Sequence, residues 1–287
     1  MFSTMSFAQS WNGRVFQART GQEITHAELI DHLAASDIIV LGEKHYTPSI
    51  QTTQGLLIDE TMNRFKLGTP FLTAWEFLDF SSQPKISDLY HQFFSDTIDV
   101  NALLFGLMGS NNSTTYAPIF EATKKHGGLF LGVNLTREQK APILKGGLEA
   151  VDQQLIPPGF AMGDANYYER FEQAMGGGHA TPEQIQNYFI AQCLTDDVIA
   201  YHLLNDLPEP TAAPAEKRFL IEGSFHTDYF DGTVERLKVR APNARIHLVS
   251  LVDASDYSES ELMNLLNDPK YGPLGDSVYF VNEPSGQ

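Results

Sequence analysis

The sequence predicts an α/β protein: a three-layer sandwich with a mostly parallel central sheet and a helical insertion or cap. Three observations predict it. Six short apolar runs are continuous rather than alternating, as strands are when a sheet is covered on both faces. Helix-start signals fall between most of these runs, so strand and helix take turns along the chain. One long interval carries helix starts and breakers but no strand.

In chain order the runs are Ile38–Leu41, Phe71–Trp75, Leu129–Val133, Phe219–Ile221, Ile246–Val252 and Val278–Val281. Thr25-His26-Ala27-Glu28 is a capping box, in which threonine and the glutamate three residues on satisfy each other's backbone N–H. It opens a helix through about His32. Thr136-Arg137-Glu138-Gln139 and Thr181-Pro182-Glu183-Gln184 repeat the signal. Between Asn134 and Phe219 lie Pro157-Pro158, the breaker Gly176-Gly177-Gly178 and a returning loop, Pro208 to Ala215. The interval reads as a helical insertion over about 135–215 within a single domain spanning 11–287. Residues 1–10 (MFSTMSFAQS) read as a flexible terminus or as the remnant of an export signal. Ser6-Phe7-Ala8 fits a small-x-small cleavage pattern, without the basic and apolar regions that precede one.

Composition excludes several classes of function. A formal net charge of −17 lacks the clustered Lys and Arg that nucleic-acid phosphates require. The single cysteine, Cys193, rules out an intramolecular disulfide and any Cys-rich metal site. No run approaches the length of apolar sequence that spans a bilayer as a helix.

Chemistry gathers at the strand ends. In open parallel sheets ligands bind beyond the carboxyl ends of the strands. The first run is followed by Gly42-Glu43-Lys44-His45-Tyr46, the second by Glu76, the third by Asn134 and then Arg137. The fourth is followed by Glu222-Gly223-Ser224-Phe225-His226 and the fifth by Asp253. Two of these stops share the spacing Gly-x-x-His, and a third match ends at His179 in a loop context. Gly42 and Gly223 directly follow apolar runs, where a tight turn benefits from a residue free of Cβ strain. His45 and His226 are then expected to face each other from one rim. Two imidazoles with Glu43 and Glu76 can hold Zn, Mn or Fe as divalent ions with an open position for water, and a further glutamate can act as general base. The alternative for Glu76 is a structural pair with Arg137.

The helix after Thr181 carries an apolar stripe of Ile185, Tyr188, Phe189, Ile199, Ala200 and Leu203. Gln192 and Asp196 fall on that stripe, where they need polar partners, and Asp197 is expected to face outward. Phe160, Met162, Tyr167, Tyr168, Phe171 and Met175 make the insertion rich in aromatics and methionine. Such a set forms core, or an apolar surface for a flat ligand such as haem, for which Tyr46 is the best-placed tyrosine ligand.

The segments IIVLGEKH, AWEF, GVNLTRE, NYFIAQCLTDDVIA and FLIEGSFH resemble the ChaN-like haem-binding proteins, within a wider set that includes the Tiki and TraB proteins and the erythromycin esterases. The resemblance runs from about Val15 to Val252. It implies the same layered fold and carries site roles onto Glu43, His45, Glu76, Arg137, Gln192, Asp196 and His226. Tyr46 stands where relatives commonly have aspartate, and Thr195 where the AQ-x-x-x-D helix usually has an aromatic. The implied function is haem binding during iron acquisition, on an exported protein that is periplasmic or associated with the outer membrane and compatible with a haem-sharing homodimer; an unexported chain would be cytoplasmic. The wider set implies the alternative, a metal-dependent hydrolase of peptide or ester bonds using the two-histidine and carboxylate site. Lys44, Arg137 and Lys140 are candidate cations for haem propionates.

Overall fold

The computed structural model describes residues 11–175, 181–210 and 212–282. The expectations for residues 1–10, and the Gly-x-x-His match ending at His179, lie outside them. Among the described residues ten strands form: β1 (Val15–Gln17), β2 (Gln22–Ile24), β3 (Ile38–Glu43), β4 (Phe71–Trp75), β5 (Leu129–Leu131), β6 (Lys217–Gly223), β7 (Ile246–Asp253), β8 (Asn267–Asp268), β9 (Gly272–Pro273) and β10 (Ser277–Val281). Eight build one sheet in the order β2-β1-β10-β7-β3-β6-β4-β5, while β8 and β9 pair separately. Strands β10, β7, β3, β6, β4 and β5 run parallel; β1 and β2 add an antiparallel edge.

Helices cover both faces, and the side-chain alternation of each strand shows how. Ile39 and Leu41 pack with the helices His26–Ala35, Pro48–Met62 and Ala117–Lys125. Ile38 and Val40 pack with Pro182–Asn205 and Gly232–Arg240. With both faces dry, every residue of β3, β4 and β10 is buried, which is why these strands read as unbroken apolar runs. All six expected strands are present. The run at Leu129 stops at Leu131 because Gly132 N donates to the Gln83 side chain and Val133 N to Leu78 O, drawing the chain out of the ladder. The sequence reading missed β1 and β2, three residues each and of mixed polarity.

All three capping boxes form, at Thr25, Thr136 and Thr181. The helix after Thr136 lasts only from Arg137 to Lys140, because Pro142 has no N–H to carry the hydrogen-bond ladder onward. Between β5 and β6 the described residues hold helices and no strand, the longest being Pro182–Asn205. The decisive positional fact is that β3 and β6 are neighbours in the sheet. Their parallel register sets Gly42 opposite Glu222 and Glu43 opposite Gly223, so both Gly-x-x-His segments leave the sheet side by side.

Candidate functional site

His45 hangs from the turn after β3 between two carboxylates. Its Nδ1 lies 2.9 Å from Glu43 Oε1 and its Nε2 lies 3.3 Å from Glu76 Oε1. Glu43 is buried and held by two further donors, the Tyr116 hydroxyl at 2.5 Å and Gln51 Nε2 at 2.9 Å. Glu76, at the end of β4, accepts the backbone N–H of Gly223. Burial alone would discharge His45, but Glu43 and Glu76 outweigh it and raise its pKa to about 10. Burial likewise pushes Glu76 up, and His45, His226 and the Gly223 N–H bring it below the usual carboxylate range.

The two glycines serve close approach. Neither has positive φ. A Cβ on Gly223 would sit 2.8 Å from His45 Nε2, and one on Gly42 would sit 2.6 Å from Thr227 Oγ1. The turn-strain reason expected from the sequence is therefore replaced by a steric one.

His226 follows β6 on the short helix Ser224–Thr227 and heads a second cluster. Its Nδ1 is 2.5 Å from Asp196 Oδ1 and 2.8 Å from the Gln192 side-chain amide. The Tyr167 hydroxyl donates to Asp196 Oδ2 at 2.9 Å, and the Thr233 hydroxyl donates to Glu222 Oε1 at 2.7 Å. Burial pulls the His226 pKa down, but Asp196 and its acidic neighbours lift it to about 9. Burial pushes Asp196 up, and it pushes Glu222 up to about 8. An open cleft of about 470 Å³ joins the clusters. His45, Gln192 and His226 line one part of it, and Leu251, Leu265 and Leu274 line another.

Tyr46 stands beside the cleft, its ring 6.3 Å from that of His45 and stacked on Phe77 at 5.9 Å and 22°. It is 46% exposed, has φ of +55°, and its hydroxyl has no hydrogen-bond partner among the described residues.

A family model described as haem-binding uptake, Tiki superfamily, ChaN, matches residues 29–237, well over half of the sequence. The chain belongs to the ChaN haem-binding family of the Tiki superfamily. This ChaN-family chain also superposes on a solved structure titled "Cofacial heme binding to ChaN of Campylobacter jejuni", with a TM-score of 0.71 at 19% identity, covering 93% of this chain and 96% of the other. A second solved structure, of the type III effector HopBA1, aligns at a TM-score of 0.50 and 11% identity, covering 96% and 100%. Identities this low speak for the fold. No curated protein matches the sequence.

Within this ChaN-family fold the expected site residues divide. His45 meets Glu43 and Glu76; His226 meets Gln192 and Asp196. The four residues expected to share a metal, His45, His226, Glu43 and Glu76, do not converge on one point. Among the described residues the group whose ligand atoms all lie within 4.8 Å of one another is Asp196, Glu222 and His226. Arg137 is exposed and forms no ion pair among the described residues, so Glu76 pairs with His45 in its place. The nearer cation is half-buried Lys140, whose pKa burial lowers against the pull of Glu76 and Asp196.

Asp197 corrects the sequence reading. It is fully buried and paired with Arg236 at 2.9 Å and Arg240 at 2.5 Å, because the helix from Cys193 to Ala200 is enclosed on every side. The sequence reading noted Glu222 just after the fourth apolar run but assigned it no role, and it missed Tyr116, which had no local signal. Of the aromatic set, Tyr167 and Phe171 are core with Phe160 and Tyr168 packed against them, while Met162 and Met175 are exposed.

Proposed function

We propose that this ChaN-family protein binds haem at the sheet rim, with the Tyr46 phenol as the iron ligand. The observation that carries the proposal is Tyr46 itself. Left-handed backbone at an aromatic residue costs about 1–3 kcal/mol and is kept where a site demands it. Here it presents an unpartnered hydroxyl to solvent on a stacked aromatic base. Both nitrogens of His45 are engaged by carboxylates, which supports the phenol over the imidazole as ligand. The donor set suits the group. Tyrosine is a competent haem ligand, Phe77 and the leucines of the cleft offer apolar contact, and Lys44, which lines the cleft, offers positive charge for propionates. Bound haem would supply its own iron chemistry; the protein would orient it through Tyr46 and the His45 cluster.

The ChaN family's description as haem uptake supports a role in haem or iron acquisition. Export to the periplasm or outer membrane, and a homodimer, belong to the same proposal; sedimentation of haem-free and hemin-loaded protein checks the dimer. The principal test is hemin titration of the purified chain. A Soret band saturating at stoichiometric hemin is expected, with its position and the charge-transfer band altered in Tyr46→Phe. No spectral change at stoichiometric hemin refutes haem binding, and a Tyr46→Phe spectrum identical to wild type refutes Tyr46 as ligand.

A further inference from the structure

We propose that a cavity at the end of the sheet opposite the His45 rim binds a small phosphate-bearing anion, held by Arg19, His32 and His247. The cavity measures about 420 Å³ and lies where β7 and β10 begin. Arg19 reaches it from the turn between β1 and β2, His32 from the helix His26–Ala35 and His247 from β7. The haem reading uses none of these residues.

The observation pointing to a ligand is the histidine pair. His247 places an imidazole inside a mostly apolar strand. Its Nε2 lies 3.0 Å from Ser277 Oγ, and its Nδ1 has no hydrogen-bond partner among the described residues. The His32 ring stands 5.9 Å away at 35°, its own nitrogens likewise unpartnered among those residues. Burial holds His247 below the ordinary imidazole value; Asp276 pulls it back up and His32 pushes it down. An anion between the rings would turn that repulsion into shared attraction and let both take up protons.

The charges around the pair favour an anion. The Arg19 guanidinium forms no ion pair or hydrogen bond among the described residues, and its planar fork matches phosphate oxygens. Lys238, on the helix Gly232–Arg240, rests its ammonium 3.6 Å over the ring of Phe230, which lines the cavity. Burial lowers the Lys238 pKa, Asp276 opposes this and Arg19 adds to it, so both cations face one space. Among the described residues Asp276 is the one acid lining the cavity, and its Oδ2 already accepts the Leu248 N–H at 2.9 Å. With a net charge of −17 the chain repels anions over most of its surface, so unspent donors gathered here are selective. Tyr229 and Phe230 are successive left-handed residues, φ +64° each, a backbone that aromatic residues seldom adopt. Phe230 thereby gives the cavity an aromatic wall, suited to the organic part of a phosphate monoester.

The test uses the full haem-free chain and follows the His32 and His247 ring signals by NMR as sulfate, inorganic phosphate or phenyl phosphate is added. Sulfate keeps its charge between pH 6 and pH 8, so its affinity reports on the imidazoles; at least about a 10-fold loss is expected across that range. Arg19→Gln should weaken every one of the three anions by at least about 10-fold. Arg19 and His32 are exposed, so variants at either position keep the fold. Tighter binding of phenyl phosphate than of inorganic phosphate, with the advantage lost in Phe230→Leu, assigns the site to an organic monoester; equal binding assigns it to the inorganic ion. No saturable shift at pH 6 with any of the three overturns the proposal. So does sulfate binding that ignores pH, or binding that survives both Arg19→Gln and His32→Gln.

Discussion

Replacing Gly223 with alanine tests the packing at the centre of the rim. The added methyl would sit 2.8 Å from His45 Nε2, 2.9 Å from His45 Cε1 and 3.2 Å from Glu76 Oε2. Ordinary carbon contacts begin near 3.5 Å, so the ring must retreat by somewhat over half an ångström. It is held at both nitrogens by carboxylates, 2.9 and 3.3 Å away, and cannot retreat without stretching charged hydrogen bonds worth about 1.5–3 kcal/mol each. Overpacking of this kind typically costs about 1–3 kcal/mol, and the upper half of that range is expected here. Urea unfolding at pH 7 measures it as a lower midpoint with unchanged slope. A double-mutant cycle isolates the cause: in a His45→Ala background the methyl has room, so most of the Gly223→Ala cost should vanish. A cost below about 0.5 kcal/mol for Gly223→Ala, or a cost that persists in full without the His45 ring, would refute the steric account.

Three further outcomes follow from the same geometry. Asp197→Ala strands two arginines in a buried site and should destabilise the protein by about 3–5 kcal/mol in urea unfolding, whereas an exposed pair such as Arg64–Asp31 should cost under about 1 kcal/mol to break. His45, with its folded pKa near 10 and an ordinary value near 6.5 when unfolded, should keep its proton through pH 8 in NMR titrations. Because the folded value is the higher one, its stabilising contribution is complete below pH 6.5 and fades as pH climbs through 10; a midpoint near 6.5 in the native protein would contradict the double-carboxylate clamp. Tyr116→Phe removes the 2.5 Å donor from buried Glu43, and a loss of about 1.5–3 kcal/mol is expected by thermal unfolding; no loss would mean that Gln51 and His45 suffice.

Much of the site was legible because parallel sheets turn local pattern into position. Reading the residue after each apolar run located Glu43, His45, Glu76 and His226 near one another without any knowledge of strand order. The same method failed for Asp197: helical periodicity assigns one inward face, and this helix has none at that level because the short segments between β5 and β6 close over its other side. Arg137 was expected near Glu76 from its place just beyond β5, but it opens the short helix capped by Thr136 and is exposed to solvent. Strands β1 and β2 escaped notice because each is only three residues of mixed polarity, too short to make an apolar run, and β2, at the sheet edge, is exposed at Gln22 and Glu23.

The amino-acid sequence by itself determined the layered α/β architecture, the six principal strands, the three capped helix starts and membership in a recognisable family, since each depends on patterns a few residues long. Only the tertiary structure decided that the polar residues form two clusters, that Glu222 belongs to one of them, and that Gly42 and Gly223 are needed for clearance. Those outcomes depend on the register of β3 against β6 and on which helix lies across them. Contacts between residues far apart in the chain leave no periodic trace within it.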